Sequence, residues 1–103
     1  MAWYAARMLC PTPPERLCDE QGRPYFLWDA ELRLTELQDL LVSGSAEDRA
    51  WWAAKVMRQA KPDDAITVIG VAAMRELWPL LQPLLSDKLA FWTWYLEKTR
   101  GRG

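Results

Sequence analysis

Start and stop signals recur so often in this chain that no long helix can run through it. Gly44, Pro62, Gly70, Pro79 and Pro83 follow one another from the middle of the chain onward. Glycine suits the left-handed position just past a helix C-terminus. Proline breaks a helix interior but can begin a new helix. Each interval has room for only a few turns, so a stable core has to be assembled from several short helices. With 103 residues, half of them hydrophobic, the chain has one domain's length and enough apolar surface for a packed core. The expected fold is mainly α: a compact bundle of four to five short helices with an N-terminal extended aromatic arm.

Residues 1–22 read as an irregular arm, because "CPTPPERLCDEQG" is proline-rich and ends in glycine. Residues 23–99 read as a single helical domain, and 100–103, "RGRG", as a disordered tail. "RPYFLWD" is the unusual stretch. Tyr25, Phe26, Leu27 and Trp28 form an unbroken run of large side chains behind Pro24. No period separates inside from outside, and aromatics after a proline favour an extended segment. Either one face of this run packs on the helices and the other against the arm or a partner, or the helices alone cover both faces.

Helical grammar starts at Leu34. "TELQ", Thr35 to Gln38, has the form of a capping box, with Leu37, Leu40 and Leu41 as the buried stripe. Gly44 is expected to stop this helix in the left-handed conformation. Ser45 caps the next, over Ala46 to Ala60, with Glu47 and Asp48 in its first turn. Trp52, Ala53, Val56, Met57 and Ala60 share its apolar face, with Arg49, Lys55 and Arg58 away from it. Trp51 falls on the polar side, so it lies against the arm or faces a partner. "AITVIG" would suit a strand by propensity, but Pro62-Asp63-Asp64 before it and Gly70 after it signal a short helix. Met74, Leu77 and Trp78 point inward from a helix over Val71 to Trp78, which Pro79 is expected to kink or restart and Pro83 to break again. Ser86 is expected to cap the last helix, which buries Leu89, Trp92, Tyr95, Leu96 and Thr99 and turns Phe91 and Trp94 elsewhere. Five of the seven tryptophans fit buried positions.

The chemistry of an active site is hard to assemble from this sequence. There is no histidine, so Cys10 and Cys18 lack the usual base for a thiol nucleophile and fall short of a four-ligand zinc site. Asp63 and Asp64 are neighbours and diverge on a helix; a helix start is their natural role. No glycine-rich phosphate loop occurs. The expectation is no enzyme, no catalytic residue, no cofactor and no metal. No apolar run is long enough for a signal peptide or a membrane span, so the expected location is cytoplasmic, with both thiols reduced. Net charge is −1, yet residues 1–50 carry five bases against nine acids and residues 51–103 eight against five.

Taken in order, "RPYFLWD", "LTELQDLL", "SAEDRAWWAAKVMRQAKPDD", "LWPLLQPLL" and "FWTWYL" resemble a family of small bacterial helical proteins encoded beside nucleotidyltransferases of the abortive-infection toxin class. The likeness runs from Arg23 to Leu96. Residues 1–22 lie outside it, "GVAAM" replaces a Ser/Thr-Pro-acid helix start, and Lys88 alone remains of a basic cluster before the last helix. The resemblance implies an antitoxin-like or accessory partner of such an enzyme, which needs a recognition surface and no active site. Tyr25, Trp28, Trp51, Phe91 and Trp94 are the candidate partner-binding residues. The alternative is a small nucleic-acid-binding regulator using Lys55, Arg58, Lys61 and the tail. A homodimer through the aromatic last helix is compatible with either.

Overall fold

The computed structural model describes residues 10–100. Its helices are α1 (Pro14–Leu17), α2 (Leu34–Ser43), α3 (Ala46–Gln59), α4 (Pro62–Ile69), α5 (Val71–Glu76), α6 (Trp78–Leu81) and α7 (Leu89–Lys98). Short 3-10 turns cover Tyr25–Leu27, Gln82–Leu84 and Ser86–Lys88. The fold is mainly α, and no strand occurs among the described residues; the one β-type pairing is an isolated bridge between Cys18 and Pro24. The helices outnumber the expected four to five because Pro79 restarts the helix and Pro83 breaks it again. They divide residues 71–85 into α5, α6 and a 3-10 turn.

Helix α3 is the centre of the molecule. Ala50, Ala53, Ala54, Val56 and Met57 are all buried, so the helix is covered over more of its circumference than one apolar stripe requires. The alanines are small and let neighbouring elements approach closely. Lys55, expected on the polar side, is buried as well. The reason is tertiary: the Tyr25–Leu27 turn packs on this flank of α3 and brings the Asp29 carboxylate, whose Oδ2 lies 2.8 Å from Lys55 Nζ.

Helix boundaries follow the local chemistry with two shifts. Helix α2 begins at Leu34, ahead of the expected Thr35 cap, because Glu36 Oε1 accepts the Arg33 backbone N–H at 2.8 Å. In α3, Ser45 Oγ accepts the Asp48 N–H at 3.1 Å, as the sequence indicates. Ser86 does not cap α7. It takes a positive φ of 51° in the 3-10 turn that runs straight into Leu89.

Two glycines act for different reasons. Gly70 has φ +90° and separates α4 from α5 with a backbone that L-residues avoid. Gly44 is extended, with φ −74°, and not left-handed as expected. It is required by closeness: a Cβ there would lie 2.9 Å from the Leu40 carbonyl oxygen and 3.3 Å from Asp48 Cβ. That contact makes possible the tight corner between α2 and α3.

The last helix is tied to the first end of the bundle through α3. Trp92 is fully buried, and its indole N–H donates to the Met57 carbonyl at 3.0 Å. Met57 belongs to the last turn of α3, where carbonyls lose their helical partners. Arg75 Nη2 adds a second tie, donating to Thr99 Oγ1 at 2.9 Å. Among the described residues, no fully buried side-chain nitrogen or oxygen lacks a hydrogen-bond partner.

The different roles of the glycines are measurable by denaturant unfolding. Gly44→Ala is expected to destabilise by about 1–3 kcal/mol through the backbone clash. Gly70→Ala is expected to lose a similar ~1–3 kcal/mol through conformation alone, since nothing lies within 4 Å of its added methyl. A neutral Gly44→Ala would mean that the corner is looser than the structure shows.

Candidate interaction surface

The Tyr25–Trp28 run is a 3-10 turn, not an extended segment. With three residues per turn its side chains fan out around the axis, and this resolves how four large groups are accommodated. Phe26 and Leu27 enter the core with no more than 1% of their surface exposed, while Trp28 stands 71% exposed.

Tyr25 is drawn inside by polar contacts. Its hydroxyl donates to Asp64 Oδ2 at 2.5 Å and accepts the Lys61 backbone N–H at 2.9 Å. Asp64 is itself buried and also receives the Thr12 hydroxyl and the Thr12 N–H, both at 2.6 Å. Asp63 Oδ2 takes the Cys10 N–H at 2.8 Å. The two acids therefore start α4 and also hold the arm, a role their spacing does not reveal. Burial pushes the Asp64 carboxyl up, but the Thr12 and Tyr25 donors outweigh it and hold the carboxyl below its ordinary range. Burial, reinforced by the Asp64 carboxylate, raises the Tyr25 phenol.

The other four candidates are on the surface. Trp51 is 47% exposed, Phe91 37% and Trp94 48%. Trp28 and Trp51 flank one ion pair. Asp29, next to Trp28, binds Lys55 Nζ, which in turn lies 5.6 Å from the centre of the Trp51 ring. The Lys55 ammonium holds the Asp29 carboxyl below its usual value. Between Trp28 and the arm runs a groove of about 430 Å³, walled by Leu17, Cys18, Pro24, Tyr25 and Leu27. The second pair, Phe91 and Trp94, lies on α7 with ring centres 6.0 Å apart.

Fewer tryptophans are enclosed than expected. Trp92 is buried; Trp52 and Trp78 are half-buried; Trp28, Trp51 and Trp94 are exposed. Trp3 lies outside the described residues, as does the tail from residue 101 onward. The basic residues of the alternative reading are differently disposed. Lys55 is buried against Asp29, and Arg58 Nη1 donates to the Leu84 carbonyl at 3.1 Å. Lys61 remains exposed. Cys10 and Cys18 are free thiols, and burial with the neighbouring Asp19 raises the Cys18 thiol. Among the described residues there is no group of three or more acids or cysteines placed to hold a metal ion. No helix among them is long and apolar enough to cross a membrane.

The Asp64 junction has a pH signature. Its folded pKa is depressed, so its contribution is complete above the ordinary carboxylate range and is lost as pH falls through the lowered value. Asp64→Asn is expected to flatten the acid limb of a plot of melting temperature against pH. Tyr25→Phe is expected to destabilise by about 0.5–1.5 kcal/mol at neutral pH, because it removes the hydrogen bonds to Asp64 and from the Lys61 N–H. An unchanged acid limb in Asp64→Asn would place the acid sensitivity elsewhere. Compared with protein-family models, curated proteins and solved structures, the chain has no match.

Proposed function

We propose that this chain is a non-catalytic protein-interaction module, an antitoxin-like or accessory subunit of a nucleotidyltransferase toxin. The observation that carries the interaction reading is the outward placement of Trp28 and Trp51 about the Asp29–Lys55 pair. Tryptophan is the residue most enriched at binding hot spots, because it offers a large rigid face and an N–H at its rim. Trp51 touches Trp52 and Lys55 yet leaves about half of its surface open, and Trp28 is more exposed still. The groove next to Trp28 has a size that accepts a partner side chain.

The identity of the partner rests on the ordered motifs from "RPYFLWD" to "FWTWYL" and their resemblance to the antitoxin-like family. Protein is favoured over nucleic acid as the ligand because Lys55 and Arg58 are engaged within the fold. A nucleic-acid surface needs free cations facing outward.

Tagged chain purified from its native host is expected to retain a stoichiometric nucleotidyltransferase. Trp28→Ala with Trp51→Ala should remove that partner and leave the chain folded, at a cost of about 1–2 kcal/mol in stability for the contacts of Trp51 with Trp52 and Lys55. Retention of the enzyme by the double variant, or recovery of nucleic acid alone, would contradict the proposal.

A further inference from the structure

The exposed side of α7 and its lead-in turn has an unusual symmetry. The stretch "DKLAFWTWYLEK", Asp87 to Lys98, is complementary to its own reversal. Asp87 and Lys98 lie equally far on either side of the Trp92–Thr93 midpoint, and so do Lys88 and Glu97, and Phe91 and Trp94. Each charged residue is thus mirrored by one of opposite sign, and each exposed aromatic by another aromatic. All six of these side chains are exposed, while Trp92 and Leu96 face the core.

We propose that two copies of this chain pair through α7, antiparallel, about a two-fold axis at that midpoint. Such an axis sets Phe91 against Trp94 of the second copy, twice. The same operation sets Asp87 against Lys98, twice. Isologous contacts of this kind require a self-complementary patch, and the charge order of this helix supplies one in the antiparallel sense only. A parallel pair would oppose Asp87 to Asp87 and Lys98 to Lys98.

Within one chain these charges are largely uncommitted. Asp87, Lys88 and Lys98 form no ion pair among the described residues, and Glu97 is joined only to Arg100, at 3.3 Å with both side chains well exposed. A pair that exposed contributes little. The aromatic centre provides the apolar burial, and the charged ends fix direction and register. Helix α7 has ten residues, about 15 Å of length. The contact is therefore small, and the dimer is expected to be weak, with Kd on the order of tens of micromolar.

The assembly needs no other protein and is independent of the nucleotidyltransferase reading. Sedimentation equilibrium of the purified full-length chain tests it. The wild type is expected to dimerise with concentration, less so as salt is raised. Asp87→Lys alone and Lys98→Asp alone should each weaken dimerisation about tenfold, since each turns two attractions into repulsions. The double variant Asp87→Lys with Lys98→Asp restores complementarity and should recover wild-type affinity. It contains the same residues as the wild type, so its recovery also shows that the single variants did not fail through misfolding. Trp94→Ser, which leaves the packing of Phe91 on Trp92 and Tyr95 in place, should leave a monomer with unchanged helix content by circular dichroism. A wild type that stays monomeric to about 1 mM, far above any expected Kd, would overturn the proposal. Indifference of the dimer to the single reversals, or failure of the double variant to recover, would do the same.

Discussion

The Tyr25 hydroxyl joins three parts of the chain at one point. It donates to Asp64 at the start of α4, accepts from Lys61 between α3 and α4, and belongs to the turn that covers the flank of α3. Asp64 in turn holds Thr12, so the arm is fixed through the same carboxylate. Without this junction, the aromatic turn would still be held on α3 by apolar contact, the Gln59–Phe26 hydrogen bond and the Asp29–Lys55 pair, but nothing would fix the Tyr25 ring. With it, Phe26 and Leu27 are directed inward and Trp28 outward. The exposed tryptophan follows a turn anchored by a partly buried polar network centred on the buried Asp64, in which each member satisfies the others.

The C-terminal end of α3 is where the molecule is closed. Helix ends leave carbonyls without partners, and here the Met57 carbonyl is met by the indole of Trp92, far away in sequence. Gln59 Nε2 reaches the Phe26 carbonyl at 2.8 Å, tying the aromatic turn to that same end. Several short helices, none stable alone, thus converge on one terminus that both organises and consumes their hydrogen-bonding capacity.

Much of this was legible before the structure. Gly70, Pro62 and Ser45 mark their boundaries through backbone chemistry that acts over a few residues, and Trp92 and Leu96 fall on the core face by simple helical spacing. Trp51, Phe91 and Trp94 stood out because they break that spacing. What could not be read was anything set by distant partners. Lys55 looks solvent-facing until Asp29 is brought to it. Asp63 and Asp64 look like helix-start acids until the arm lies across them. Tyr25 and Trp28 are equivalent in the sequence, and only the Asp64 carboxylate separates an internal bolt from an exposed indole. Gly44 was identified as a stop for the wrong reason, since its need is closeness to Leu40 and not a positive φ.

An aromatic-rich chain of this size could have enclosed all its tryptophans. Instead it divides them, one sealed against Met57 and others held outward where a partner or a second copy can cover them. Hydrogen exchange at the indole N–H groups, followed by NMR in a dilute sample, tests that division most directly. The account predicts strong protection of Trp92 Nε1–H and rapid exchange at Trp28, Trp51 and Trp94. Equal protection of all four would contradict it, because the outward indoles would then belong to the core.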